Sequence, residues 1–363
     1  MIVASLVMAL ASADLCTGYA ADPVLERRCA RLARRLPPGV GVSRDTIAPE
    51  RPGVAEHVRI TTLNLGFLRV ARRYTVPGAA SRRAELPAQL GAYLQAQRPT
   101  VVLFQECYRR EDRELVASIG EASGYVSRSA GPEAGFRSGL VMLVRNDAGA
   151  VEGEGFEPLP GDLFRFAGYR RGVMWLQLRT ASGAELIVTN LHLTPIHSRQ
   201  LSWRRSVQVA ALVAWLREGG APLACLSAPS PCTLVLAGDF NLAPAHDFRL
   251  ALQPAIDPAD LQRWLTWDTT LYGLLLAELH SEAESLQPHI WTLDPANPTW
   301  QGYPLNASLP GMRPDLAFVG GAGRGVGARR VLDVLGTVSG LPPSDHYGLE
   351  LDLALPGLAG ADR

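Results

Sequence analysis

Several apolar runs in this sequence end on a residue that can do chemistry. Asn64 closes ITTLN, Glu106 follows VVLFQ, Asn190 and His192 end LIVTNLH, and Asp239 and Asn241 end LVLAGDFN. A further group, Ser344-Asp345-His346, stands directly behind Pro342-Pro343. Each has an ordinary reading when taken alone: Glu106 as a salt-bridged strand end, His192 as a satisfied core histidine. Together they offer the groups that phosphodiester cleavage requires, namely an activated water, a charge clamp and help for the leaving oxygen. A hard cation such as Mg²⁺ takes one or two carboxylates, with water and substrate phosphate filling the remaining positions. Glu106 and Asp345 can be those carboxylates, and Asn64 can add an amide oxygen. His192 and His346 suit proton transfer or phosphate stabilisation near neutral pH. Gly238 permits a tight turn after its apolar strand. Asp239 and Asn241 then project the same way, one with a charge and the other with an amide for a phosphate oxygen.

The elements that must position these groups are short and apolar. Strands are expected at 58–65, 100–106, 139–145, 173–179, 185–193, 233–241, 314–319 and 348–355. Helical patterns fall between them at 84–97, 113–120 and 199–218, the last with apolar residues at helical spacing and arginines on other faces. This alternation argues an α/β or α+β domain with mixed sheets. The polar strand ends should converge at one sheet edge, where ligands bind in many α/β folds. Runs this uniformly apolar leave parallel and antiparallel pairing open.

At 363 residues, 47% hydrophobic and 19% charged, the chain has a globular composition and can bury a sizeable core. Formal net charge is zero and the pI is about 7.1, which leans against a strong non-specific nucleic-acid binder but leaves room for a local basic face. Lysine is absent, so every cationic side chain except histidine is a forked guanidinium. Residues 1–21 have the apolar stretch and small residues of an export signal without its basic start, so a secreted or periplasmic location is expected, with a cytoplasmic one as the alternative. Residues 22–55 read as an Arg- and Pro-rich extension, 56–357 as the catalytic domain and 358–363 as a tail. None of the five cysteines forms a CxxC pair, which argues against a zinc ribbon. Cys225 and Cys232 can close a short disulfide loop or stay as thiols, and Cys107 reads as a small buried apolar residue. The segment 246–300 reads as one helix and a long loop. Its Trp264, Trp267 and Tyr272 are either core or part of an apolar surface that meets lipid.

In this order the residues resemble the endonuclease/exonuclease/phosphatase superfamily, which has the deoxyribonuclease I-like fold. The resemblance rests on TTLNLGF, VVLFQEC, GLVMLVR, VTNLHL, LVLAGDFN, NPTW, MRPDLAFV and SDHYGLEL, from about 58 to 355. It implies a four-layer α/β sandwich, two mixed sheets face to face with helices outside. It also implies roles: Asn64, Glu106 and Asp345 at a Mg²⁺ or Mn²⁺ site, His192 on the phosphate, and Asp239 with Asn241 orienting nucleophile and phosphate. His346 would be the general base, oriented by Asp315, with Asp239 as the alternative base. Leu191 and Leu316 depart from the family pattern, where a threonine and an aromatic are common; they bear on subfamily rather than on chemistry.

The expected activity is metal-dependent phosphodiester hydrolysis by a monomer. The leading substrate is a phospholipid headgroup, as for a sphingomyelinase at a membrane. Alternatives are a secreted nuclease acting on nucleic acid, a phosphomonoester or phosphoinositide phosphatase, and a catalytically silent binding module. A nuclease would want a basic face, to which Arg199, Arg204 and Arg205 can contribute.

Overall fold

The computed structural model describes residues 56–67, 69–70, 74–75, 79–130, 136–161, 168–195, 199–218, 232–242, 271–273, 275, 279, 292, 297, 314–332 and 342–356. The expected leader, N-terminal extension and tail, together with Cys225, Trp264 and Trp267, lie outside the described residues.

Two sheets form the centre. One has six strands in the order β12 (Arg324–Val331), β13 (Gly348–Leu355), β1 (Glu56–Asn64), β4 (Val101–Gln105), β6 (Val141–Arg145) and β5 (Tyr125–Ser129). The other has five, in the order β11 (Asp315–Gly321), β10 (Thr233–Asp239), β9 (Glu185–His192), β8 (Gly172–Thr180) and β7 (Gly149–Pro158). A short ribbon pairs β2 (Arg69–Val70) with β3 (Tyr74–Thr75). The helices are α1 (Ala79–Gln97), α2 (Arg110–Ala122) and α3 (Arg199–Glu218).

The sheets pack face to face through Ile60, Val101, Leu103, Met142, Leu176, Val188, Val235 and Leu351. The residues between these positions point the other way. Val102, Phe104 and Leu143 pack under Leu86, Leu90 and Leu94 of α1 and Val116 and Ile119 of α2. Ile187, Leu234, Leu236 and Phe318 pack under Leu212, Val213 and Leu216 of α3 and under Leu271, Leu275 and Leu279. This is the expected four-layer sandwich. Central strands covered on both faces need no polar side, so their sequences show no alternation. β1–β4 and β9–β10 run parallel and the other pairs of the two large sheets antiparallel, so both sheets are mixed.

Register brings the polar strand ends together. Asp239 lies opposite His192 on one side and Asp315 on the other. Two contacts stitch the sheets at this end: Asn64 Nδ2 donates to Asp239 Oδ2 at 2.8 Å, and Gln105 Nε2 donates to Asn190 Oδ1 at 2.7 Å. Asn190 also donates to the carbonyls of Phe104 and Val141. It is therefore an inter-sheet strut beneath the site rather than a member of it.

Gly238 is a strand residue, not the turn expected of it. With φ at +142°, it lies so close to β9 that a Cβ would sit 2.2 Å from the Leu191 carbonyl oxygen. The glycine allows the close approach that sets Asp239 beside His192. Tyr272 is buried against Phe318, with ring centroids 5.7 Å apart, so the one described aromatic of the 246–300 segment is core. Cys107 is buried in the apolar layer under α1 and α2, as expected. No helix among the described residues is long and apolar enough to cross a membrane.

Candidate active site

The structure brings Asp239, Asp315 and His346 together most tightly, with a ligand atom from each within 4.8 Å of the others. His346 Nδ1 lies 2.7 Å from Asp315 Oδ2, inside the protein. That contact fixes the ring and leaves Nε2 as its second nitrogen. Burial works against a charged His346, but Asp315, with Asp239 and Asp345 beyond it, outweighs burial and holds the imidazole pKa up at about 10.

Asp239 is caged by donors. Its Oδ2 takes the Asn64 amide, and its Oδ1 takes the backbone N–H of Asn241 at 2.9 Å. Burial and the neighbouring Asp315 carboxylate nonetheless raise its pKa to about 7, against the opposing pull of His346 and these hydrogen bonds. His192 Nε2 is 3.4 Å from Asp239 Oδ2, and its Nδ1 is 3.4 Å from the Tyr108 hydroxyl. Burial, with Arg171 and His346 adding like charge, keeps the His192 ring neutral. A neutral ring that accepts from Tyr108 on Nδ1 carries its proton on Nε2, facing Asp239. Glu106 Oε1 is 4.0 Å from the same Nε2. Glu106 itself sits just past β4 with φ at +66°, a left-handed conformation uncommon outside glycine. Asn241 is left-handed too, at +51°, and gives an amide hydrogen to the Leu193 carbonyl.

Asp345 joins from the loop before β13. Its carboxylate lies over Gly66, where a Cβ would come within 2.1 Å of Oδ1. Gly66 also has φ at +59° and donates its N–H to Asn64 Oδ1 at 2.9 Å. The Asn64 side chain thus turns its NH₂ to Asp239 and its oxygen to backbone, which leaves one oxygen lone pair for a cation. Ser344 ties the two loops together: its hydroxyl contacts the Asn64 carbonyl at 2.5 Å and Asp345 Oδ1 at 3.1 Å.

Four supports had no role assigned from the sequence. Buried Arg82 donates to the carbonyls of Leu65, Gly66 and Pro343, clipping the loop after β1 to the loop carrying Asp345. Asn297 holds the carbonyls of Ser344 and Asp345, both at 3.0 Å. Arg171 binds the carbonyls of His192 and Leu193, and Tyr108 touches His192. One signal was available: Arg82 falls in line with Leu86, Leu90 and Tyr93 on the buried face of α1, where an arginine needs a reason. The expected basic face is not where it was sought. Arg205 is buried with its guanidinium on the Thr194 carbonyl, Arg204 donates to the Gly161 carbonyl, and the Arg199 side chain lies outside the described residues.

The donor set suits a divalent cation. Glu106, Asp239, Asp315 and Asp345 are buried, Glu106 beside His192 and the other three about His346. Among the described residues no arginine pairs with Asp239, Asp315 or Asp345, and Asp315 Oδ1 is buried without a hydrogen-bond partner. Excess buried carboxylate charge and an orphaned oxygen are what an oxygen-seeking cation relieves.

A search of curated proteins finds no match to the sequence. Solved structures share the fold. D. rerio TDP2 complexed with single-strand DNA product is 17% identical over 82% of this chain and 98% of its own, with a TM-score of 0.56. Beta toxin from Staphylococcus aureus is 13% identical over 81% and 99%, with a TM-score of 0.54. An endonuclease/exonuclease/phosphatase family protein from Bacteroides thetaiotaomicron is 14% identical over 83% and 98%, with a TM-score of 0.52. The profile of the Endonuclease/Exonuclease/phosphatase family matches residues 61–346, a span that holds every residue of the cluster. The chain therefore belongs to the Endonuclease/Exonuclease/phosphatase family and is a metal-dependent phosphoric ester hydrolase.

Proposed function

We propose that this chain hydrolyses a phosphodiester by in-line attack of water, with Asp239, Asp315 and His346 as its working core. The observation that carries this reading is the buried Asp315–His346 pair beside a second carboxylate with a pKa near neutrality. Glu106 and Asp345 would hold Mg²⁺, or Mn²⁺ in its place, with Asn64 as a further oxygen. The cation would supply Lewis-acid charge to the phosphoryl oxygens.

The residues divide the proton work. Of the two candidate bases, Asp239 is favoured, because Asp315 at 2.7 Å holds His346 in its protonated form while the Asp239 carboxylate stands in the same cluster. His346, held as an imidazolium by Asp315, donates from Nε2 to the charge that builds on phosphorus. Neutral His192, its proton facing Asp239, adds a second donor, and Asn241 presents the remaining hydrogen of its amide. Water oxygen bonds to phosphorus, its proton passes to Asp239, and the leaving oxygen departs from the opposite side.

For the substrate, a phospholipid headgroup and a nucleic-acid backbone are the two readings. The lipid reading drew on an aromatic surface in 246–300 named by Trp264, Trp267 and Tyr272; of these, Tyr272 lies in the core. The nucleic-acid reading draws on the shared fold of TDP2, whose structure holds a single-strand DNA product. The test is hydrolysis of sphingomyelin micelles, plasmid DNA and a chromogenic phosphodiester, with and without Mg²⁺. Failure on all three, or full activity in His346→Ala, would overturn the proposal.

A further inference from the structure

Beside the site is a cleft of about 310 Å³ lined by Arg109, Arg110, Arg113, Arg137 and a single acid, Glu111. Arg110 is paired with Glu114 at 2.6 Å, and Arg113 is braced against the carbonyls of Cys107 and Tyr108. Arg109 and Arg137 have no ion-pair partner among the described residues. With Arg110 set against Glu114, the guanidinium groups of Arg109, Arg113 and Arg137 share one lining carboxylate, Glu111, and an arrangement of this kind is relieved by an anion. The helix beside them sharpens the point. Arg109 is the N-cap of α2, and its side chain makes no capping bond. A phosphate there would meet Arg109 and the first-turn N–H groups, although Glu111 and Asp112 in that turn already offset part of the helix's positive end.

The cleft is built onto the catalytic residues. Arg109 is three residues from Glu106, a reach of at most about 10 Å. Arg137 is held by its backbone to Gly168 and Arg170, next to Tyr169, which packs edge-on to Tyr108 with centroids 5.0 Å apart. Tyr108 in turn touches His192. Half-buried aromatics, Phe136 and Tyr169, flank Arg137. A track of cations beside part-exposed rings, Phe136 packed on Phe156 and Arg170 and Tyr169 edge-on to Tyr108, suits a single strand, whose bases are free to stack. A zwitterionic headgroup brings a cation instead, which the arginines would repel.

We infer that the Arg109/Arg110/Arg113/Arg137 cleft binds the backbone phosphates flanking the scissile one in a single-stranded nucleic acid. The inference rests on the phosphodiesterase reading of the adjoining site and extends it to a substrate class. The neutral overall charge is no obstacle, because the basic surface is local.

The test compares wild type with the double variant Arg109→Gln/Arg137→Gln. With Mg²⁺, kcat/KM is measured for a short single-stranded oligonucleotide and for a chromogenic phosphodiester carrying one phosphate. The ratio of the two should fall about 10- to 100-fold in the variant, through KM. The salt slope of log kcat/KM for the oligonucleotide should become shallower by about 1.4, the value for two lost phosphate contacts on a single strand. An unchanged ratio and slope, with the small ester still hydrolysed, would overturn the cleft and leave the hydrolase reading standing. If wild type hydrolyses neither substrate, metal-free binding of a labelled oligonucleotide decides the cleft, and the phosphodiesterase reading fails only if sphingomyelin micelles are left intact as well. Binding weakened in the variant supports it, and equal binding overturns it. Loss of binding to phosphatidylserine vesicles with oligonucleotide binding intact would overturn it in favour of an anionic membrane surface.

Discussion

Two buried carboxylate clusters in this molecule are handled in opposite ways. Glu350 on β13 is fully buried, yet Arg329 Nε reaches its Oε1 at 2.6 Å, Arg59 Nε approaches at 3.3 Å, and the Tyr93 hydroxyl donates to Oε2. Thr61 backs Tyr93 at 2.6 Å. Every charge there has an opposite, and the strands it joins need nothing more. At the other cluster, Asp239, Asp315 and Asp345 share one imidazole. The guanidinium groups beside it, those of Arg82 and Arg171, are turned to backbone carbonyls. A fold able to neutralise Glu350 with two arginines leaves the second cluster short of positive charge. That shortage is the physical sign of a site that meets a cation and a substrate.

The sharpest way to break the comparison is to remove one group from each cluster. His346→Ala should lower Mg²⁺-dependent hydrolysis of a chromogenic phosphodiester by about 10²–10⁴-fold, with the circular-dichroism melt retained. Glu350→Gln should do the reverse. Activity per folded molecule should persist, while urea unfolding shows a loss of about 2–3 kcal/mol, the low end for a broken buried pair because Arg329 is half exposed. If Glu350→Gln lost activity and His346→Ala lost stability, the division between the clusters would be wrong.

Metal and pH act on one cluster only. The Asp239 carboxyl is raised from 3.8 to about 7, so its contribution to stability is present at low pH and lost as pH rises through 7. His346 is raised from 6.5 to about 10, so its contribution is present below 6.5 and lost as pH rises toward 10. Both slopes have the same sign. Metal-free protein should lose stability with rising pH across this range, by at most about 1.4 kcal/mol per pH unit for each proton. Mg²⁺ should restore it most where the carboxylates are ionised, by about 2.7 kcal/mol at a hundred times its dissociation constant. Melting curves at pH 5.5 and 8, with and without Mg²⁺, read this directly. An equal Mg²⁺ gain at both pH values would place the cation away from Asp239.

The two regions also differ in how they are written in the sequence. All eight expected strand runs are strands, because strands buried on both faces are apolar throughout. Apart from the two-residue β2 and β3, the strands with no such signal are β5, β7 and β12, each at a sheet edge. Their sequences, YVSRS, GAVEGEGFEP and RGVGARRV, are rich in Gly, Glu and Arg because one side or one end faces water. The site's reacting groups were legible as acids, amides and imidazoles behind apolar runs. Their supports were not. Asn297 stood in the NPTW stretch without an assigned role, and Arg171 works through the backbone carbonyls of His192 and Leu193, a donor use that leaves no pattern in its own neighbourhood. The local arginine cleft was missed in the same way, since Arg137 comes to Arg109 only through the fold.

The smallest expected effect separates two of the buried tyrosines, Tyr93 and Tyr108. Tyr93 makes a short contact to a full carboxylate charge, and burial together with that charge pushes its phenol pKa far up. Tyr108 makes a long one, 3.4 Å, to a neutral imidazole. Hydrogen-bond strength falls with length and with loss of charge, so Tyr93→Phe should cost stability and Tyr108→Phe should cost little. What Tyr108 supplies is tautomer choice: its hydroxyl on Nδ1 keeps the His192 proton on Nε2, toward Asp239. Without it both tautomers become populated, and only one has a donor on the Asp239 side. Tyr108→Phe should therefore lower kcat for the small ester by about 2- to 5-fold, the worth of about 0.5–1 kcal/mol, with KM unchanged. A drop as large as that of His346→Ala would mean that Tyr108 itself reaches the reacting phosphate.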